Sequence, residues 1–337
     1  MTSNPVYKKK DFQTDQLVRW CPGCGDYAIL SAVQQTFAEM ALPREQFAVI
    51  AGIGCSSRFP YYMETYGFHT IHGRAPAFAT GLKCSRPDLS VWLVTGDGDG
   101  LSIGGNHLIH LFRRNVDVNV MLFNNRIYGL TKGQYSPTSE VGKRTKSTPM
   151  GSLDAPFNPL LLALGAGASF VARSVDIFAK HLKATLASMP EHKGTSFVEI
   201  YQNCLIFNDH AFENVTDKAA RKENVLYLEP GEPLIWGEEK RYGFVLGNLA
   251  LLKVEIDGPE TEAQIIRHDP SNKVLATMLA ALDPQHGDPV PIGLFYQEDR
   301  PAYDQQFVDQ VDESRQKLGT GDLHRLLHQG DTWKVGG

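Results

Sequence analysis

Between residues 26 and 201 the sequence alternates short, nearly continuous apolar runs with longer amphipathic stretches, and this alternation narrows the folds open to the chain. The runs at 47–53 (FAVIAGI), 90–95 (SVWLVT), 118–123 (VNVMLF) and 196–201 read as strands buried on both faces. Shorter strands are predicted at 69–72 and 169–171. Ile29, Leu30, Val33, Phe37 and Met40 recur at helical spacing and predict a helix over 26–41. Further helices are predicted over 75–84, 103–114, 156–164 and 175–189. Such alternation predicts an α/β fold, a mostly parallel sheet with helices on both faces. Ligands of such sheets bind beyond the carboxyl ends of the strands.

The remaining sequence divides around this core. Residues 1–19 read as a polar arm, 20–207 as the α/β domain, and 208–337 as a C-terminal extension with a predicted hairpin at 242–254. The segment 126–154 is long, polar and rich in Gly, Ser, Thr and Pro, which marks a functional or disordered loop. The net charge of −5 and the lack of a basic stripe argue against nucleic acid as a partner. No apolar run approaches the ~20 residues that span a bilayer. Basic residues near the N-terminus lead into no apolar core, so no secretory signal is expected and the cytoplasm is the predicted location.

Two strand ends carry candidate chemistry. The run 90–95 leads directly into Gly96, Asp97, Gly98 and Asp99, and the run 118–123 ends on Asn124 and Asn125. Glycines at such a turn let the backbone approach an anion, and the following helix N-terminus adds N–H donors. A carboxylate beside a diphosphate repels it unless a cation lies between, and Mg²⁺ shares oxygen ligands with phosphates in this way. Either element alone reads most simply as a turn; one crossover apart, at the same sheet edge, they are far more specific.

Five cysteines without a secretory signal point away from a disulfide framework. Cys21 and Cys24 form one C-x-x-C, open to reading as a zinc half-site, a redox pair or half of a cluster site. Cys55 and Cys204 follow strand ends, close to the expected anion site. Cys84 lies in a helical run and reads as core packing. Thiolates of Cys21, Cys24, Cys55 and Cys204 would satisfy a 4Fe–4S cluster.

The Gly96–Asp97–Gly98 turn with Asn124 and Asn125 is similar to the GDG…NN pattern of thiamine diphosphate enzymes. That pattern implies Mg²⁺ ligands at Asp97, Asn125 and the carbonyl of Ile127, with Asp99 as the alternative carboxylate. It implies cofactor contacts at Gly96, Gly98 and Asp99, the last two through backbone groups. More widely, the segments WCPGCG, GIGCSSR, HGRAPAFATG, GDGDGLSIGGNH, NVDVNVMLFNNRIYGLTKGQ and QNC resemble β subunits of two-subunit 2-oxoacid:ferredoxin oxidoreductases. The stretch GCSSRFPYYMETYG looks most like enzymes acting on 2-oxoglutarate.

The resemblance implies that Ile53, Gly54, Cys55 and Ser56 line the thiamine and that His72 approaches the diphosphate. Gly129 and Leu130 would bracket the folded cofactor, with Thr131 and Gln134 as polar neighbours or simple loop hydrogen bonds. Arg58 would meet a substrate carboxylate, against the plainer reading of a surface salt bridge. Arg74 reads as a structural ion pair. The family places the glutamate that activates thiamine on an α subunit, so the chain is expected to act only in an αβ heterodimer that pairs again. Coenzyme A, a 2-oxoacid and ferredoxin are the expected partners, with electrons leaving through a single cluster. The alternatives are a pyruvate or broad-range sibling and, from another class, a non-catalytic zinc or electron-transfer scaffold.

Overall fold

The four apolar runs become adjacent strands. A computed structural model describes residues 5–336; residues 1–4 of the expected N-terminal arm, and Gly337, lie outside the described residues. In chain order the strands are β1 (Phe47–Ala51), β2 (Tyr66–His69), β3 (Ser90–Gly96), β4 (Asn119–Asn124), β5 (Phe170–Val175) and β6 (Ser196–Tyr201). Beyond residue 207 come β7 (Val225–Leu228), β8 (Ile235–Trp236), β9 (Tyr242–Gly247), β10 (Ala250–Glu255) and β11 (Val290–Gln297). Eight of them form one sheet in the order β2-β1-β3-β4-β6-β5-β11-β7. Every neighbouring pair is parallel except β11 with β5.

Alternate residues of each central strand enter different cores, as the period of two dictates. Ala48, Ile50, Val91, Leu93, Val120 and Leu122 face one layer, with Leu108, Leu111 and Phe112 of helix Gly105–Arg114 and Leu160 of helix Pro159–Gly165. Phe47, Val49, Trp92, Val94, Met121 and Phe123 face the other, against Ile29, Val33 and Phe37 of α1 (Asp26–Met40). Burial on both faces explains why these runs read as continuously apolar. Trp92 is fully buried and its ring lies 5.0 Å from that of Phe37. Trp92→Ala is expected to destabilise the fold by about 3–5 kcal/mol, read from urea unfolding, because the cavity cannot collapse between sheet and helix.

Two predicted strands sit elsewhere than expected. The strand predicted at 69–72 runs over 66–69, because it pairs level with β1 from Ala48↔Tyr66 to Ala51↔His69. Residues 70–73 then turn at the sheet edge. The strand predicted at 169–171 continues to Val175, and the following helix begins at Ala179 rather than at 175. Its polar Arg173 disguised the run; the register sets it opposite Glu199 on β6, and the two form a buried ion pair of 2.7 Å.

The tail behaves in two ways. β7 and β11 extend the main sheet, whereas β8, β9 and β10 form a separate antiparallel sheet that contains the predicted hairpin. Among the described residues no helix is long and apolar enough to cross a membrane.

Candidate functional site

Because β2, β1, β3 and β4 are parallel, their carboxyl ends share one edge, and the segments that follow them line a cavity of about 640 Å³. Ile53, Gly54, Cys55 and Ser56 come from the loop after β1, and His72 from the turn after β2. Gly96, Asp97, Gly98 and Asp99 lead out of β3, and Asn125, Ile127, Gly129 and Leu130 follow β4. Thr131 and Gln134 complete one wall and bond to each other. Every predicted site residue of this group therefore lines one space.

Asp97 is buried, and burial pushes its carboxyl above the usual carboxylate range. Ser136 Oγ and Thr138 Oγ1 donate to its Oδ2 at 2.5 and 2.6 Å. Both hydroxyls meet the same oxygen; among the described residues no side chain donates to Oδ1. Asn125 Oδ1 accepts from the Ile127 N–H at 3.2 Å, while its Nδ2 donates to Gln202 Oε1 at 2.8 Å. A neighbouring chain of bonds braces this site from below. Thr138 Oγ1 lies 2.9 Å from Asn124 Oδ1, and Asn124 Nδ2 donates to Glu199 Oε1 at 2.7 Å, whose other oxygen holds Arg173.

Asp99 is used differently. Its carboxylate accepts from the N–H groups of Ile53 at 3.1 Å and Gly73 at 2.7 Å, and from Thr95 Oγ1 at 2.8 Å. It ties together the loops that follow β1, β2 and β3. Gly98 is required by close approach: a Cβ there would come within 2.2 Å of the Tyr128 ring, whose hydroxyl donates to the Gly98 carbonyl at 3.0 Å.

The thiols form a second, smaller group. Cys21, Cys24, Cys55 and Cys204 line a cavity of about 180 Å³ beside the first. Gly129 lies between two of the sulfurs: a Cβ there would sit 3.5 Å from Cys55 Sγ and 3.6 Å from Cys204 Sγ, in van der Waals contact with both. Burial pushes the Cys55 thiol up to about 12 and raises Cys24 and Cys204 as well, outweighing the Arg58 charge beside Cys55 and the backbone N–H groups that face Cys204. Among the described residues no three His, Cys, Asp or Glu side chains converge on a single metal ion. Cys84 is half-buried in helix Ala75–Ser85, apart from the group.

Arg58 lines the thiol cavity and makes no ion pair among the described residues. Arg74, expected in an ion pair, instead donates to the Ile103 carbonyl at 3.5 Å. The predicted site also lacked several side chains that the structure brings in. Ser136 and Thr138 belong to the hydroxyl-rich turn of the long loop, and that richness was their only sequence signal. Asp26 lines the larger cavity, is buried, and has no partner on either carboxylate oxygen among the described residues. Burial raises its carboxyl to about 7, with the Cys24 thiol pulling the other way. In sequence it looked only like the first residue of α1.

Residues 52–200 match the family model described as the thiamine pyrophosphate enzyme C-terminal TPP binding domain. The chain is 52% identical to the 2-oxoglutarate oxidoreductase subunit KorB of Mycobacterium tuberculosis, covering 99% of this chain and 90% of that one. The chain belongs to the 2-oxoacid:ferredoxin oxidoreductase β subunits. A β subunit of a 2-oxoacid:ferredoxin oxidoreductase from a Sulfolobus species is 37% identical over 87% of this chain and 86% of its own. A solved 2-oxoglutarate:ferredoxin oxidoreductase from Magnetococcus marinus, with 2-oxoglutarate, coenzyme A and succinyl-CoA bound, superposes with a TM-score of 0.77 at 34% identity, covering 98% of each chain. In this oxidoreductase β subunit the matched thiamine pyrophosphate segment contains Asp97, Asn125 and Cys55 but ends before Cys204 and begins after Cys21 and Cys24. Three of the four thiols thus lie outside the thiamine-binding segment.

Proposed function

We propose that the chain is the β subunit of a 2-oxoglutarate:ferredoxin oxidoreductase, converting 2-oxoglutarate, coenzyme A and oxidised ferredoxin to succinyl-CoA, CO₂ and reduced ferredoxin, reversibly. One observation carries the reading: Cys55, Asn125, Gly129 and Leu130 line both cavities, so the cofactor space and the thiol group share a wall. When bound, thiamine diphosphate supplies the nucleophilic carbon for decarboxylation, and a 4Fe–4S cluster accepts the electrons one at a time.

The residues fit both groups. Asp97 Oδ1, Asn125 Oδ1 and the Ile127 carbonyl are hard oxygen donors suited to Mg²⁺, which takes its remaining ligands from phosphate and water. Gly96, Gly98 and Asp99 present backbone to the diphosphate, and His72 stands at the same end. Ile53, Gly54 and Ser56 line the thiamine, with Leu130 and Gly129 holding its bend. Cys21, Cys24, Cys55 and Cys204 hold the cluster. Arg58, unpaired beside that cavity, is assigned to the distal carboxylate of the substrate, where a planar fork can bind it bidentately.

No glutamate lines the larger cavity among the described residues; its carboxylates are Asp26, Asp97 and Asp99. The activating glutamate is therefore assigned to an α subunit, and activity to an αβ assembly that pairs again. Turnover of the anaerobic complex tests the substrate. It should be at least about tenfold faster on 2-oxoglutarate than on pyruvate, and Arg58→Leu should erase that preference, because one charge-assisted contact is worth about 1.5–3 kcal/mol. Faster turnover of pyruvate by the unaltered complex would sink this choice of substrate and leave the pyruvate-type sibling.

A further inference from the structure

The two assigned metal groups are joined by one side chain that the reaction itself does not call for. Gln202 follows β6 and is only 1% exposed. Its Nε2 donates to the Asn203 carbonyl at 2.6 Å and lies 3.3 Å from Cys24 Sγ as a second acceptor. Its Oε1 accepts from Asn125 Nδ2 at 2.8 Å.

The orientation of both amides follows from chemistry alone. A backbone carbonyl can only accept, so the atom of Gln202 facing Asn203 must be the nitrogen. The other end of that amide is then an oxygen, and the Asn125 group facing it must be the NH₂. That leaves Asn125 Oδ1 turned to the opposite side, where it meets the Ile127 N–H and the larger cavity. Gln202 and the Ile127 N–H, one on each end of the amide, together decide which atom Asn125 offers to a cation. The same Nε2 directs a hydrogen toward Cys24 Sγ, and a hydrogen bond to a cluster sulfur withdraws charge and raises the reduction potential.

We infer that Gln202 is a positioning residue that sets the Mg²⁺-binding face of Asn125 and tunes the cluster through Cys24, coupling the two centres by a single amide. This inference rests on the assignment of Asp97 and Asn125 to Mg²⁺ and of Cys24 to the cluster.

Gln202→Met keeps the length and apolar volume of the side chain and removes both hydrogen-bonding ends. In the αβ complex, purified anaerobically, two readouts should move together. The Mg²⁺ concentration that half-saturates thiamine diphosphate binding should rise about 10-fold or more, as typical of a lost partner to a metal ligand. The cluster midpoint potential, followed by EPR in a redox titration, should fall. Gln202→Asn, whose amide is withdrawn by one methylene, should move both readouts in the same directions and serves if the Met variant does not accumulate. A folded variant in which either readout stays at the wild-type value overturns the coupling. Failure of the underlying assignment looks different: the wild-type complex itself would bind thiamine diphosphate without Mg²⁺ or show no cluster signal.

Discussion

Asp97→Ala should leave a folded β subunit that no longer retains thiamine diphosphate in the presence of Mg²⁺. Among the described residues no side chain donates to Asp97 Oδ1, which leaves that oxygen open to a cation, whereas Asp99 spends its carboxylate on Ile53, Gly73 and Thr95. The loss in Mg²⁺-dependent affinity should exceed about 100-fold, since changes even in the partners of metal ligands cost 10–100-fold. The fold should survive because Asp99, not Asp97, ties the loops together. The substitution removes the shared acceptor of two buried hydroxyls; Thr138 keeps Asn124 Oδ1 at 2.9 Å, while Ser136 is left with only the 3.3 Å contacts to Thr138 and Ser139. An unsatisfied buried donor costs about 1–3 kcal/mol, which bounds the loss of stability. Calorimetric titration of thiamine diphosphate with and without Mg²⁺, beside thermal unfolding, separates these effects. Equal cofactor affinity in the variant and the parent would mean that the metal sits elsewhere.

Cys55→Ala should remove the cluster while leaving the cofactor cavity able to bind. Cys55 is the thiol common to both cavities, and its sulfur approaches the backbone of Gly129. Anaerobically purified wild-type complex should carry about four irons per β subunit for the 4Fe–4S assignment to hold. The variant should be colourless, lose that iron and lose essentially all ferredoxin reduction, yet still bind thiamine diphosphate with Mg²⁺. Iron content and cofactor titration on the same sample check both halves. A wild-type complex that is colourless and holds zinc would remove the cluster and restore the scaffold alternative.

The main features of the site were legible because they are local. Gly96, Asp97 and Gly98 follow an apolar run without a gap, and Asn124 and Asn125 close the next one. A buried strand in a parallel sheet has a predictable end, and polar residues at that end have few structural tasks. The supporting residues were not legible. Nothing in the spacing of the loop 126–154 says that its Ser136–Thr138 turn folds back under Asp97. Glu199 and Arg173 looked like isolated polar interruptions until the register of β5 on β6 set them opposite each other. Gln202 was visible only as part of QNC, since its contacts are with Cys24, far away in the chain, and Asn125, just past the end of another strand.

By itself the sequence determined the parallel α/β core, the edge at which chemistry would gather and the residue types present there. These follow from hydrophobic periodicity and turn chemistry, which act within a few residues of one another. Only the tertiary structure decided that β7 and β11 of the tail complete the main sheet, with β11 running against its neighbour. It alone decided that four of the five thiols line one cavity, that Asp99 is structural in its carboxylate, and that one amide reaches from Asn125 to Cys24. Strand register and loop return are fixed by contacts between surfaces far apart in the chain, and no local pattern encodes them.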